Sequence, residues 1–552
     1  MKRRLFYITI VTLAIFLTSC SYSNDINGDS QQDSSQNEDA VMDSGPVKGG
    51  SINLFCTAPD TLNPLLTNKA TIQNITRLIY EGLVKLDSNG RPVPSLSDKW
   101  SVSTDGLIWT FHIRENVYWQ DKIPMNAEDV EFTLKTLMNP AINSVYKANI
   151  QNIATFAAVD RNTVRVFLKK PSSFTPEMMT FPIIPKHYFN GEDMAKSPKN
   201  MKPVGTGPFT FIRMENRNIT LSANELWWNS DSEKIYGIKL PYLSEINIKI
   251  LDNASDAVSL FQTGDLDMTP IPTGDSNKYS GRADLAIKKY TGRDFEFLAF
   301  NMNKTIFKDK SVRQAIACAI DRDTIVNNFV SGDATVSDLP VYPGIWLNGS
   351  GSASFDFDVI KARDILAKGG WKAGSSGVMY KIINGVWSQL SFNLAVNESN
   401  VSRTAIAEKI VEQLSLIGIK ANIVKLDPNN AMNAVRSRRF DMAFIGVSTS
   451  SIPDLSFMYS SSEIATGNNV SGYSNPAVDG YLEQLNNAPD ENSKKEIFKK
   501  LKNIIEDEVP YVGLYFYDNA AIYKKNVRGE LMPTSWNIYN DISKWYIAKI
   551  KK

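Results

Sequence analysis

Histidine and cysteine are scarce in this chain, with 2 His and 3 Cys among 552 residues. A side-chain cage for zinc or nickel needs several such ligands close together. His112 and His187 therefore supply no metal site, and no cofactor is expected. Cys56 and Cys318 lie far apart inside apolar segments, where they read as small buried hydrophobes rather than a disulfide. An excess of one charge is also absent, since 60 Lys+Arg stand against 59 Asp+Glu. That balance leaves no basic footprint for nucleic acid and no acidic tail. Gly-x-Ser-x-Gly does not occur, and Gly205-Thr206-Gly207 lacks the Lys-Ser/Thr of a phosphate loop, with Pro208 removing a donor amide. The hydrolase and nucleotide-binding classes thus have no motif to rest on, and the turn reads as a structural one.

What the chain does have is enough apolar material for a large core, at 43% hydrophobic and 10% aromatic residues, and a length that predicts two or three domains. Lys2, Arg3 and Arg4 precede a weakly polar to apolar stretch from Leu5 to Leu17. The stretch is shorter than the roughly 20 apolar residues of a bilayer span, so residues 1–19 read as a signal peptide. Leu17-Thr18-Ser19-Cys20 resembles a bacterial lipobox, which makes Cys20 the lipid-bearing residue. The Ser-, Asn-, Gln- and Asp-rich run that follows has almost nothing to bury, and residues 20–46 are expected to form a disordered tether.

Beyond the tether, Ser51 to Phe55 is a strand candidate, and Ile72, Ile75, Leu78 and Ile79 predict a helix running into Tyr80-Glu81-Gly82-Leu83. Trp109, Phe111 and Ile113 alternate with polar residues as in a half-buried strand. Asn126 can cap a helix with Glu128 and Asp129 in its first turn and Val130, Leu134, Leu137 and Met138 on its apolar face. Tyr118 and Trp119 read as core. Leu390 to Val396, Ile419 to Val424 and Met442 to Ile445 are strands separated by helices, the first marked by Ile406, Ile410 and Leu414, which predicts a sheet with covering helices. Ligands of such sheets sit beyond the carboxyl ends of the strands, so Gly446 to Asp454 is a candidate binding loop, although an ordinary connection fits equally.

Several spaced motifs then resemble one family. They include Tyr80-Glu81-Gly82-Leu83-Val84, Pro94 to Trp100, Asp105 to Arg114, Ala127-Glu128-Asp129-Val130, Gly205 to Phe209, Leu260 to Asp267, Phe300-Asn301, Val312 to Ile316 and Ala319 to Arg322. In order and spacing they are similar to the peptide, dipeptide and nickel solute-binding proteins of ABC importers. The resemblance implies an α/β, two-lobed periplasmic-binding-protein-like fold (type II, cluster C) with an extra N-terminal subdomain and a two-strand hinge. Lobe I would comprise residues 47–91, 203–300 and 510–552, the extra subdomain 92–202, and lobe II 301–509. The hinge crossings would fall near Phe297 to Asn303 and Tyr511 to Tyr517.

The resemblance also implies a protein that is no enzyme. It would be lipid-anchored outside the cytoplasm, monomeric, and would pass a peptide or related small solute to a permease with its ATPase subunits. A peptide-signal receptor or a surface chaperone on the same scaffold is the alternative. Ligand contacts are expected from Glu81, Gly82, Leu83, Asn301, Trp346, Val447, Ser448, Thr449, Ser450 and Asp454. Glu81 could equally make a structural hydrogen bond, and Trp346 could equally be core. Where the family carries Gly-Trp-Thr-Gly-Asp, with Asp holding a peptide's ammonium, this chain has Gly446-Val447-Ser448-Thr449-Ser450. The ligand either lacks a free amino terminus or is anchored elsewhere, with Asp454 the nearest carboxylate of the loop.

Overall fold

The computed structural model describes residues 45–231, 237–348 and 355–548, so the signal segment, Cys20 and most of the tether lie outside them. Among the described residues no helix is long and apolar enough to cross a membrane.

Alternation along the strands decides the layers. Phe295, Phe297 and Ala299 join Ala443 in one core, while Leu298 and Phe300 join Met442 and Phe444 in another. The sheet is therefore buried on both faces, which is why both sides of these strands are mostly apolar. Its strands lie in the order Met268–Ile271, Tyr511–Lys524, Leu285–Phe300, Met442–Ser448, Ser391–Asn397, Lys420–Leu426, with Ala334–Val336 also paired to Tyr511–Lys524. Ser391–Asn397 is parallel to both neighbours, and the helices Val401–Ser415 and Pro428–Arg436 make the crossovers, as the sequence predicts.

The N-terminal half has its own interior. One four-stranded sheet orders Ser51–Thr57, Glu245–Leu251, Asn218–Ala223 and Phe209–Glu215, and a second orders Ser97–Val102, Ile108–Ile113, Thr163–Leu168 and Ile153–Asp160. They share a core that includes Leu54, Cys56, Phe111 and Trp119. Cys56 and Cys318 are both free and buried. Asn126 caps the helix Ala127–Met138 in a capping box with Asp129, whose buried carboxylate also receives the Lys186 amide and the Trp119 indole N–H. Tyr118 is 44% exposed, against the expectation of a core residue, because it forms an isolated bridge with Pro124 and only its neighbour Trp119 turns inward.

Two strands join the halves, Leu285–Phe300 of 16 residues and Tyr511–Lys524 of 14. They are antiparallel, and their register breaks between Thr291 and Phe295, where a Cβ on Gly292 would come within 2.6 Å of the Tyr517 carbonyl oxygen. The architecture is thus two α/β lobes on a two-strand hinge. The register shifts again between Glu296 and Phe297, at the start of the segment Phe297 to Asn303, and the first strand ends at Phe300, leaving Asn301 and Asn303 beyond it.

The first helix also departs from expectation, ending at Thr76 instead of running through Ile79. The reason is tertiary. Gly207 N–H donates to the Ile79 carbonyl at 2.8 Å and Phe209 N–H to the Leu78 carbonyl at 3.1 Å, so these carbonyls serve a distant turn. A Cβ on Gly205 would lie 1.8 Å from the Ile79 oxygen, and one on Gly207 2.8 Å, so the close approach admits only glycine. Glu81 closes the arrangement. Its carboxylate accepts from Trp228 Nε1 at 2.9 Å, Thr206 Oγ1 at 3.0 Å and Trp227 Nε1 at 3.1 Å. Burial pushes the Glu81 carboxyl above its ordinary range, and the three donors act against that shift.

Gly205→Ala is expected to destabilise the protein by about 3 kcal/mol or more, the upper end of overpacking costs, seen as a lowered urea midpoint. Glu81→Gln turns an amide toward one of the indole N–H groups and should cost about 1–3 kcal/mol in the same measurement, with native circular dichroism retained.

Candidate functional site

The carboxyl ends of the parallel strands meet the hinge at the segment singled out from sequence. Gly446, Val447 and Ser448 are not loop residues, because the strand Met442–Ser448 continues through them, paired with Glu296, Phe295 and Asp294. On its other side that strand pairs with Ser391–Asn397 only through Phe444. The far edge of Gly446–Ser448 is therefore open, and Gly446 and Ser448 are exposed. Thr449 is buried and tied to the hinge strand by its amide and hydroxyl, which donate to the Arg293 carbonyl at 2.8 and 3.1 Å. Ser450 bonds within its own turn to Ile452, and Asp454 accepts the Ser456 amide at 2.8 Å.

Beneath this edge lies an ion pair that sequence reasoning missed. Arg403 Nε and Nη2 donate to the two oxygens of Glu296 at 2.9 and 2.7 Å, a bidentate fork between a hinge strand and the start of a helix. Burial pushes the Glu296 carboxyl up while Arg403 acts against it. A Cβ on Gly446 would stand 2.5 Å from Glu296 Oε1 and 2.8 Å from Arg403 Nη2, so the exposed glycine lies directly over the pair. A carboxylate within the apolar run Phe295-Glu296-Phe297-Leu298 was the available signal; nothing local distinguishes Arg403.

The other expected residues are dispersed. Asn301 is 3% exposed and gives its amide hydrogens to the Arg438 and Phe440 carbonyls at 2.9 and 2.8 Å. Leu83 is fully buried, and Gly82 packs against the Thr180 and Phe181 backbone. Trp346 and Val447 both pack on the core containing Phe297 and Tyr511. A sizeable cavity opens beside Trp346, the one residue of the expected set that lines it.

That cavity, about 650 Å³, lies where residues 91–109 and 173–176 meet Trp346 and the start of the helix Glu491–Glu508. Its volume falls within the range of small-molecule pockets, roughly 300–1,000 Å³. Trp100, Trp109 and Trp346 give it aromatic walls, and Arg91, Asp98, Glu491 and Lys494 give it charges of both signs. The seam around it is closed by direct contacts. Trp346 N–H donates to the Asn89 carbonyl at 3.0 Å, Ser173 N–H to the Asn486 carbonyl at 2.7 Å, and Arg91 pairs with Glu491 at 2.7 Å. A neutral mixture of fixed charges beside aromatic faces suits a polar, zwitterionic solute.

Comparison with known proteins shows the family. Residues 91–469 match the profile described as bacterial extracellular solute-binding proteins, family 5 middle. The oligopeptide-binding protein AppA of Bacillus subtilis (strain 168) is 27% identical over 566 residues, with 100% of each chain covered. The oligopeptide-binding protein OppA of the same organism is 25% identical, covering 98% of this chain and 99% of OppA. The solved structure of AppA from Bacillus subtilis in complex with a nonapeptide is 25% identical at a TM-score of 0.58, covering 92% of this chain and 100% of that one. This chain accordingly belongs to the family 5 bacterial extracellular solute-binding proteins of ABC importers.

Proposed function

We propose that this protein captures oligopeptides, or a closely related small solute, outside the cytoplasm and delivers them to an ABC permease and its ATPase subunits. The open edge of Gly446–Ser448 is the observation that carries the reading. An extended peptide added to a sheet edge gains main-chain hydrogen bonds whatever its sequence, which suits a receptor for many peptides. Glycine at the first position keeps that edge accessible, and the Glu296–Arg403 pair beneath it holds the hinge strand against the helix Val401–Ser415.

The peptide-binding relatives support this ligand class. In this reading lobe I comprises residues 47–91, 203–300 and 510–552, lobe II residues 301–509, and 92–202 form an added subdomain; the ligand is held between the lobes. The receptor acts as a monomer anchored by lipid on Cys20, and it releases its ligand unchanged. Ser450 is engaged in its own turn and Asp454 caps the following residues, so the anchor for a ligand's amino group lies outside this segment.

Native mass spectrometry of the purified protein, followed by denaturation, should release peptides of mixed sequence. A single non-peptide species would reject oligopeptides as the ligand. Gly446→Ala should weaken peptide binding at least about tenfold in titration calorimetry. Unchanged affinity would show that the ligand does not lie on that strand.

A further inference from the structure

Among the described residues, Glu177 is the carboxylate with both oxygens buried and neither hydrogen-bonded. Glu81 has three donors and Glu296 has the Arg403 fork. Glu177 is 1% exposed. A carboxylate removed from water without donors costs several kcal/mol, so this group is an acceptor in want of a donor.

Its surroundings fit one kind of donor. The Lys494 ammonium stands 3.9 Å from Glu177 Oε1, beyond hydrogen-bond reach, and donates instead to the Ser173 carbonyl at 2.6 Å. It lies over the Phe174 ring at 5.0 Å and the Trp346 ring at 5.5 Å. A carboxylate, a carbonyl oxygen and two ring faces are the groups that bind an organic ammonium. Ser173, Trp346 and Lys494 all line the 650 Å³ cavity, which gives the position a route from outside. Asp490 and Glu491 line it too, so a displaced Lys494 has carboxylates to turn to. Burial already holds the Lys494 ammonium below its ordinary range, so the lysine is not at ease where it sits.

We propose that Ser173, Phe174, Glu177 and Trp346 form a binding site for a primary ammonium group of the ligand, which Lys494 fills in this structure and yields when ligand enters. Only the naming of that ligand as a peptide rests on the function proposed above. The site supplies the amino-group anchor that Ser450 does not.

The test uses titration calorimetry on the full protein with benzylammonium, pentaalanine and N-acetyl-pentaalanine. Lys494→Met removes the internal competitor and should tighten benzylammonium and pentaalanine at least about tenfold, leaving the acetylated peptide unchanged. Adding Glu177→Gln should abolish that gain. No gain in a Lys494→Met protein that still unfolds cooperatively overturns the proposal. If Lys494→Met does not fold, Trp346→Leu decides: removing a wall should weaken benzylammonium, and unchanged binding overturns the site. Benzylammonium bound without either peptide would sustain the site and sink the peptide reading. Pentaalanine bound equally by wild type, Lys494→Met and the double variant would sink the site and leave the peptide reading standing.

Discussion

The two lobes share a single β-ladder. Backbone donors and acceptors inside a protein must stay paired, so a sheet running from one lobe to the other cannot simply be pulled apart. Movement between the lobes has to be absorbed where pairing is already irregular. That place is the break between Thr291 and Phe295, with Gly292 pressed against the Tyr517 carbonyl. Before it the ladder is regular, from Leu285 to Thr291 against Asp518 to Lys524, and beyond it the register slips once more between Glu296 and Phe297. Gly446–Ser448 pairs with Asp294 to Glu296, at the end of the break, so a ligand lying on its open edge is one strand away from the irregular stretch.

Charge burial follows from the same arrangement. Arg403 reaches a carboxylate on a crossing strand, and Glu81 gathers donors from the turn after Gly205 and from two adjacent tryptophans. Each network links segments far apart in sequence. In a low-dielectric interior a satisfied polar network tolerates few alternative placements of its members, so these groups fix how elements sit as much as how stable they are.

Much of this was legible in the sequence, wherever the cause is local. The helix capped by Asn126, the helix marked by Ile406, Ile410 and Leu414, and the strands between Leu390 and Ile445 announce themselves through a cap and through periodicity. What escaped has distant causes. The first helix stops at Thr76 because residues around Gly207 claim its next carbonyls. Gly446 to Ser448 are strand because Asp294 to Glu296 pair with them. Lys494 meets Ser173 across 321 residues of chain, and no spacing rule connects such a pair. The order of strands and helices pointed to the segment from Gly446 on, whereas the ion pair under it and the seam cavity are assembled from segments distant in sequence.

The way the chain enters the folded body has a mechanical consequence. Gly49 N–H bonds to the Tyr242 carbonyl, Ser51–Thr57 runs parallel to Glu245–Leu251, and the C-terminal strand Tyr546–Ile547 pairs with Val527–Arg528 beside the same entry point. Any pull arriving through the residues before Gly49 is met there in shear, along a ladder of parallel strands, on one side of the hinge only. The strand Met442–Ser448 and its open edge lie on the other side of the hinge, away from the point where that load is taken up.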